Sequence, residues 1–364
     1  MPHSRSRISA LLAGTVLAVA ACGGTHAAGS PTPKPTAGTA GSPSAAVPTP
    51  TPTAAPLAAP LLIQVENLYQ ARPQSGLSSA DVVYEYQTEG GISRFTGIWF
   101  TAPSSTEFVG PVRSARLVSL RLAEIYGGAL IYSGASTYVT SVLSQSSTHN
   151  YDDPQPPLFR TSVPPPAAEY GSPHNLYTQG SDLATFVQKL GLSTVSYHLW
   201  QRTPVSSLPA GGTAVSGFEV PISPSETPIF TYQPGSGTYE RSEPAAGGYP
   251  ATGVLNDANT NAPWETPNIV IMQVPVIGVP ADDENPDPPA YTEGLDFEIG
   301  PSASGTGQLA VGGQLYSINW TQGATGPPQF TLANGQPAPI APGQVLIELV
   351  GSGQTVTPEA TAAP

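Results

Sequence analysis

Only one cysteine, Cys22, occurs in the 364 residues, so the chain closes no internal disulfide and offers no thiolate cluster for zinc. Lysine is almost as scarce, with Lys34 and Lys189 alone. Charged residues make up 10% of the chain, against roughly 25% in an ordinary soluble domain. A net charge of −13 excludes the broad basic face that nucleic acid requires, so no nucleic-acid partner is expected. The nucleophile elbow G-x-S-x-G, the zinc helix H-E-x-x-H and the phosphate loop G-x-x-x-x-G-K-[ST] are all missing. No cofactor and no metal is expected. The acidic run Asp282, Asp283, Glu284 and Asp287 lacks the spacing and central glycine of a calcium loop, and reads as a solvated loop.

What abounds is proline, 43 residues, and glycine, 38. Their distribution separates the chain into regions. Residues 1–21 read as an export signal: Arg5 and Arg7 precede an apolar run from Ile8 to Ala20, too short to span a bilayer comfortably. The tetrapeptide Val19-Ala20-Ala21-Cys22 looks like a bacterial lipobox, which marks Cys22 for a diacylglyceryl group and a palmitate-type acyl chain; the alternative is an ordinary secretory signal. Two or more acyl chains give stable anchoring where one does not. Residues 22–60 then read as a disordered Pro/Thr/Ala tether with one charge, Lys34, and little apolar surface to offset its ordering entropy. Its reach runs from about 35–40 Å as a coil to about 120 Å extended.

The folded part is expected to be α+β: a mixed α/β N-terminal subdomain over 61–205, then a mainly antiparallel β C-terminal subdomain over 212–352, with a frayed tail over 353–364. Residues 81–87 and 92–100 read as strands joined by a tight turn at Gly90-Gly91. Over 115–126 the apolar period switches to three and four, and Gly127-Gly128 supplies a helix stop. Ser181-Asp182 can open a second helix that closes at Gly191. The second half reads as strands, with a hairpin across Gly312-Gly313 and a final strand over 345–350.

Five of the ten arginines, Arg72, Arg94, Arg113, Arg116 and Arg121, fall within 50 residues. Gly110-Pro111-Val112-Arg113-Ser114-Ala115-Arg116 precedes the 115–126 helix, where free backbone N–H groups and the dipole favour an anion. Two guanidinium forks there suit phosphate or carboxylate. The alternative is structural pairing with Asp81, Glu85, Glu89 or Glu124. His174, within Pro173-His174-Asn175-Leu176-Tyr177, is either a proton-transferring side chain or a hydrogen-bonded structural one.

These motifs, with Asn67, Ala71-Arg72-Pro73-Gln74-Ser75-Gly76-Leu77, Ala80-Asp81-Val82-Val83-Tyr84-Glu85 and Gly90-Gly91-Ile92-Ser93-Arg94-Phe95, closely resemble the YerB-like lipoprotein family over roughly 61–200. The resemblance is looser at Tyr232, Tyr239-Glu240-Arg241, Asn268-Ile269-Val270-Ile271, Pro342-Gly343-Gln344 and Ile347. A His-x-Asp element of the family is replaced by Asn256-Asp257, without the histidine. That family is a domain of unknown function with two subdomains, found mainly in Gram-positive bacteria. The resemblance implies a lipoprotein on the outer face of the cytoplasmic membrane and supplies no reaction. It groups Arg72, Asp81, Glu85, Arg94, Arg113, Ser114, Arg116, His174 and Asn175 as candidates for one cleft. The expected function is a binding or scaffold module of the cell envelope, with an arginine-rich anion site for an unidentified envelope ligand or protein partner. The alternatives are an enzyme processing an envelope phosphodiester or glycan with the Arg/Asp/His cluster, and a purely structural adaptor.

Overall fold

The computed structural model describes residues 57–153, 155–164, 167–279 and 294–360. The signal segment, Cys22, the tether up to residue 56 and the acidic loop with Asp282, Asp283, Glu284 and Asp287 lie outside the described residues.

In the first half the chain forms β1 (Leu61–Glu66), β2 (Val82–Gln87), β3 (Ser93–Trp99), α1 (Leu117–Tyr126), β4 (Ala129–Tyr132), α2 (Thr137–Gln145), β5 (His149–Asp152) and α3 (Gly180–Leu190). The expected hairpin is present: β2 and β3 pair antiparallel from Val82↔Ile98 to Gln87↔Ser93. Gly90 and Gly91 turn the chain with φ of 76° and 69°, a region closed to most side chains. α1 ends at Gly127, whose φ of 61° lets its N–H bond back to the carbonyls of Ala123 and Glu124. α3 likewise ends at Gly191, but begins one residue before Ser181.

The second half adds β6 (Thr213–Glu219), β7 (Ile229–Gln233), β8 (Thr238–Glu243), β9 (Gly253–Val254), β10 (Asn268–Val274), β11 (Ser304–Val311), β12 (Gln314–Thr321) and β13 (Val345–Gly351). The main path of one sheet runs β9-β8-β7-β6-β12-β11-β10-β13-β2-β3-β1-β4-β5. Strand dominates, in keeping with a mixed, mainly β architecture. The hairpins of the second half are antiparallel, as expected. β13 is not a hairpin strand. It lies parallel to both β10 (Asn268↔Val345) and β2 (Val345↔Val82), between the two halves of the chain. Its run VLIELV is buried throughout, as a strand covered on both faces should be.

Alternation along the strands divides the core. Leu62, Tyr84, Tyr86 and Ile98 pack with α1 on one face, while Leu61, Ile63, Val65, Val83 and Phe95 pack on the other, with Leu183 and Phe186 of α3 in the same cluster. Each such fully buried aliphatic side chain contributes about 1.5–3 kcal/mol.

Both ends of the head join pairings where a tether and a frayed tail were expected. Leu57–Ala58 pairs with Thr194–Val195, and Thr357–Ala360 pairs with β6. Among the described residues no helix is long and apolar enough to cross a membrane.

Candidate functional site

The α1 face of the sheet carries a polar patch where β1, β2 and β3 end. Gln64 Nε2 donates to the Tyr86 hydroxyl at 2.6 Å, which lies 2.6 Å from Thr96 Oγ1, and Thr96 donates to Gln64 Oε1 at 2.9 Å. One step further along this face, Glu66 stands opposite Arg94 in the β1–β3 register. The GPVRSAR segment runs beside β1. The Glu66 N–H donates to Pro111 O at 2.9 Å, and the Arg113 N–H donates to Gln64 O at 2.9 Å. This delivers Arg113 Nε to 3.1 Å from Glu66 Oε1. The Val112 N–H donates to Leu176 O at 2.7 Å, tying in the following loop, and His174 Nδ1 sits 2.9 Å from Glu66 Oε2.

Arg116 is the residue before α1. Its Nε donates to Glu89 Oε2, and its own N–H is taken by Ser119 Oγ at 2.9 Å. Ser114 is half-buried beside Gly134. Arg94, unlike Arg113 and Arg116, forms no ion pair among the described residues. It is 4% exposed, and its Nε and Nη1 are enclosed with no acceptor. Burial, followed by the nearby Arg116 and Arg113 charges and only partly offset by Glu66 and Glu89, pulls its guanidinium down to about 9. Three guanidiniums thus share two carboxylates in a small, largely dry region.

Not every candidate joins this group. Asp81 stands at the opposite end of β2, five residues or about 17 Å from Tyr86. Its carboxylate accepts from the Phe100 N–H at 2.8 Å; burial raises its pKa against that bond and Arg202. Asn175 Oδ1 accepts from the exposed Arg160, which also pairs with Asp153. Arg121 is bound by Asp296. A single cleft holding all the candidates is therefore not what the fold builds. Of the four acids considered as structural partners for arginine 113 or 116, only Glu89 serves. The acid that matters most, Glu66, escaped the sequence reading. The alternation of β1 could have found it, since it shares a face with Gln64.

Arg72 and Glu85 lie in a second cluster on the other face, centred on Arg241. Arg241 is 1% exposed. Its Nη1 donates to Glu85 Oε2 at 2.6 Å and Glu348 Oε1 at 3.2 Å, and its Nε donates to Glu243 Oε1 at 2.7 Å. Its guanidinium lies 5.1 Å from the Phe95 ring centroid and 5.6 Å from that of Trp264. Arg72 bonds Glu226, and its Nε donates to Asn67 Oδ1 at 3.1 Å. Asn67 and Ser93 both donate to Glu85, at 2.8 and 2.5 Å.

Four buried carboxylates here face two guanidiniums, so they cannot all be ionised cheaply. Burial would raise Glu85, but the two-pronged Arg241 contact more than offsets this and holds it low. Burial and Glu85 push Glu348 well above the usual carboxylate range. Burial, only partly offset by Arg72 and reinforced by Glu243 and Glu85, lifts Glu226 to about 8. A carboxyl raised on folding gives stability that is complete below its unfolded pKa and lost as pH rises through its folded one. From pH 5 to 8 the Glu226 contribution should thus fall by up to about 1.4 kcal/mol per pH unit. Glu226→Gln should flatten the urea-unfolding stability profile across that window and be the more stable form at pH 8. A profile unchanged by the substitution would exclude a proton on Glu226.

Asp257, where the resemblance implied a His-x-Asp element, ties the halves together: its Oδ2 accepts from the Gly76 N–H at 3.0 Å and Ser78 Oγ at 2.6 Å. That role needs no neighbouring histidine.

Residues 48–193 match the family model "Protein of unknown function (DUF3048) N-terminal domain", and residues 218–347 match its C-terminal domain. Over 147 residues the chain is 32% identical to "Putative lipoprotein YerB" of Bacillus subtilis (strain 168), a match spanning 40% of this chain and 40% of that relative's length. The fold is similar to the crystal structure of the YerB protein from Bacillus subtilis, with a TM-score of 0.59 and 24% identity, covering 81% of this chain and 91% of that one. With matches to both domains and this shared fold, the chain belongs to the YerB-like family, whose function is unknown.

Proposed function

We propose that the chain is a lipid-anchored envelope protein whose head binds an anion, phosphate or carboxylate, at Arg94, Arg113 and Arg116. The observation that supports this reading is Arg94, a buried guanidinium with two enclosed nitrogens unpartnered and two further arginines beside it. In a chain of net charge −13 such a local surplus of positive charge calls for a counter-ion. Arg113 and Arg116, with side chains 26% and 16% exposed, are the members of the group accessible to a ligand, while the buried Arg94 would form a charged floor. Calorimetric titration with inorganic phosphate should show binding weakened at least tenfold, or about 1.4 kcal/mol, in Arg113→Gln/Arg116→Gln. Equal affinity in the variant rejects the site.

The lipobox at Cys22 and the name of the Bacillus relative support anchoring at the outer face of the cytoplasmic membrane of a Gram-positive bacterium. The tether would then hold the head away from the bilayer. Cys22→Ala should abolish palmitate incorporation and move the protein from the detergent to the aqueous phase on partitioning. Retained labelling would refute the anchor.

A further inference from the structure

We infer that the anion bound beside Glu66 and His174 is a phosphate that brings a hydroxyl proton of its own, either hydrogen phosphate or a phosphate ester on a polyol. This rests on the anion-site reading above and adds the chemistry of the ligand.

The selecting element is the Glu66–His174 pair. A carboxylate only accepts hydrogen bonds. With Glu66 Oε2 2.9 Å from His174 Nδ1, a neutral ring carries its proton on Nδ1 and presents Nε2 as a bare acceptor. Among the described residues Nε2 makes no hydrogen bond, and the 11% exposed ring packs edge-on against Tyr170. Glu66 is itself 1% exposed and is held from both sides, by Arg113 at Oε1 and by the Gln74 side chain donating to its carbonyl at 3.0 Å. The dyad is therefore fixed by its surroundings.

Around it are donors. Arg94 faces Glu66 across the strand pair, where opposed Cβ atoms lie about 4.5–5.5 Å apart. Arg113 keeps both Nη groups, and Arg116 its Nη2, without a protein acceptor among the described residues. A site made only of donors accepts any oxyanion. One acceptor among the donors changes the selection. Sulfate and a phosphate diester offer only lone pairs, which would face the lone pair of Nε2 and leave it unpaired. Hydrogen phosphate turns its O–H toward Nε2 and satisfies every group. Sites built to pair a ligand hydroxyl discriminate strongly against analogues without one.

The test is calorimetry on the full chain in detergent at pH 7.5, titrating hydrogen phosphate, glycerol 3-phosphate, sulfate and dimethyl phosphate. The expected result is that at least one of the first two binds tenfold or more tightly than either of the last two. Tighter binding of hydrogen phosphate identifies the free ion as the source, and tighter binding of glycerol 3-phosphate identifies an ester. His174→Ala should bring phosphate down to the level of sulfate, and a circular-dichroism melt that stays cooperative shows that the fold is kept. Sulfate binding as tightly as phosphate in the unaltered protein overturns the proton requirement and leaves the anion site standing. Failure of all four ions to bind overturns both.

Discussion

Alanine in place of Arg241 leaves the head unfolded, or nearly so, at neutral pH. The side chain is enclosed among Glu85, Glu243 and Glu348 and against Phe95, Phe230 and Trp264. Its removal strands carboxylates that water cannot reach. Breaking one buried pair costs about 3–5 kcal/mol, and here one cation serves three acids, against a typical total stability of about 5–15 kcal/mol. Loss of a cooperative urea transition, or a midpoint lowered by more than half, is the expected outcome. Arg241→Met combined with Glu85→Gln and Glu348→Gln should recover much of the loss, because well-packed neutral groups can replace a buried ion network. A melting temperature for Arg241→Ala within a few degrees of the unaltered protein would mean that the cluster is not the electrostatic keystone described.

Cutting the chain after residue 205 gives a first half that does not fold alone. β2 needs β13 along its outer edge from Val82↔Val345 to Tyr86↔Leu349, and β13 belongs to the last 20 residues of the chain. Without it the edge of a strand buried on both faces opens to water. The apolar contacts of Leu346, Ile347, Leu349 and Val350, each worth about 1.5–3 kcal/mol, disappear with it. The Arg241 cluster loses Glu226, Arg241, Glu243 and Glu348 at the same cut, and Glu85 and Arg72 lose their partners. Poor amide dispersion in the NMR spectrum of residues 57–205, restored on adding residues 206–364, is the expected result. A cooperative thermal transition in the isolated first half would contradict the interlocked sheet.

Local structure was legible in the sequence wherever its causes are local. Gly90-Gly91, Gly127, Gly191 and Gly312-Gly313 each mark a real turn or cap, because a positive φ is a demand made by neighbouring residues. The place of β13 was not legible. Its run of apolar residues says that both faces are buried, but its parallel partners lie far away in the chain, and nothing in VLIELV names them. The candidate residues divided for a related reason. Glu85 and Arg94 belong to one hairpin and to one pair of matching motifs, yet they point to opposite faces of the sheet, so Glu85 pairs with Arg241 while Arg94 stands opposite Glu66 without a hydrogen bond to it at Nε or Nη1. Motif membership groups residues along the chain, and the pleat separates them. Arg241 itself was visible only as a position shared with the family, because its partners arrive from both halves of the chain.

The proposed anion site over Arg94 is directly observable, because basic residues are scarce. With ten arginines in the chain, side-chain Nε–H resonances can be assigned one by one. Titration with inorganic phosphate should shift Arg94, Arg113 and Arg116 together along one saturating curve, with Arg160 and Arg202 unmoved. Curves in which Arg94 stays still while the exposed Arg160 moves would contradict an anion site at this place in the fold.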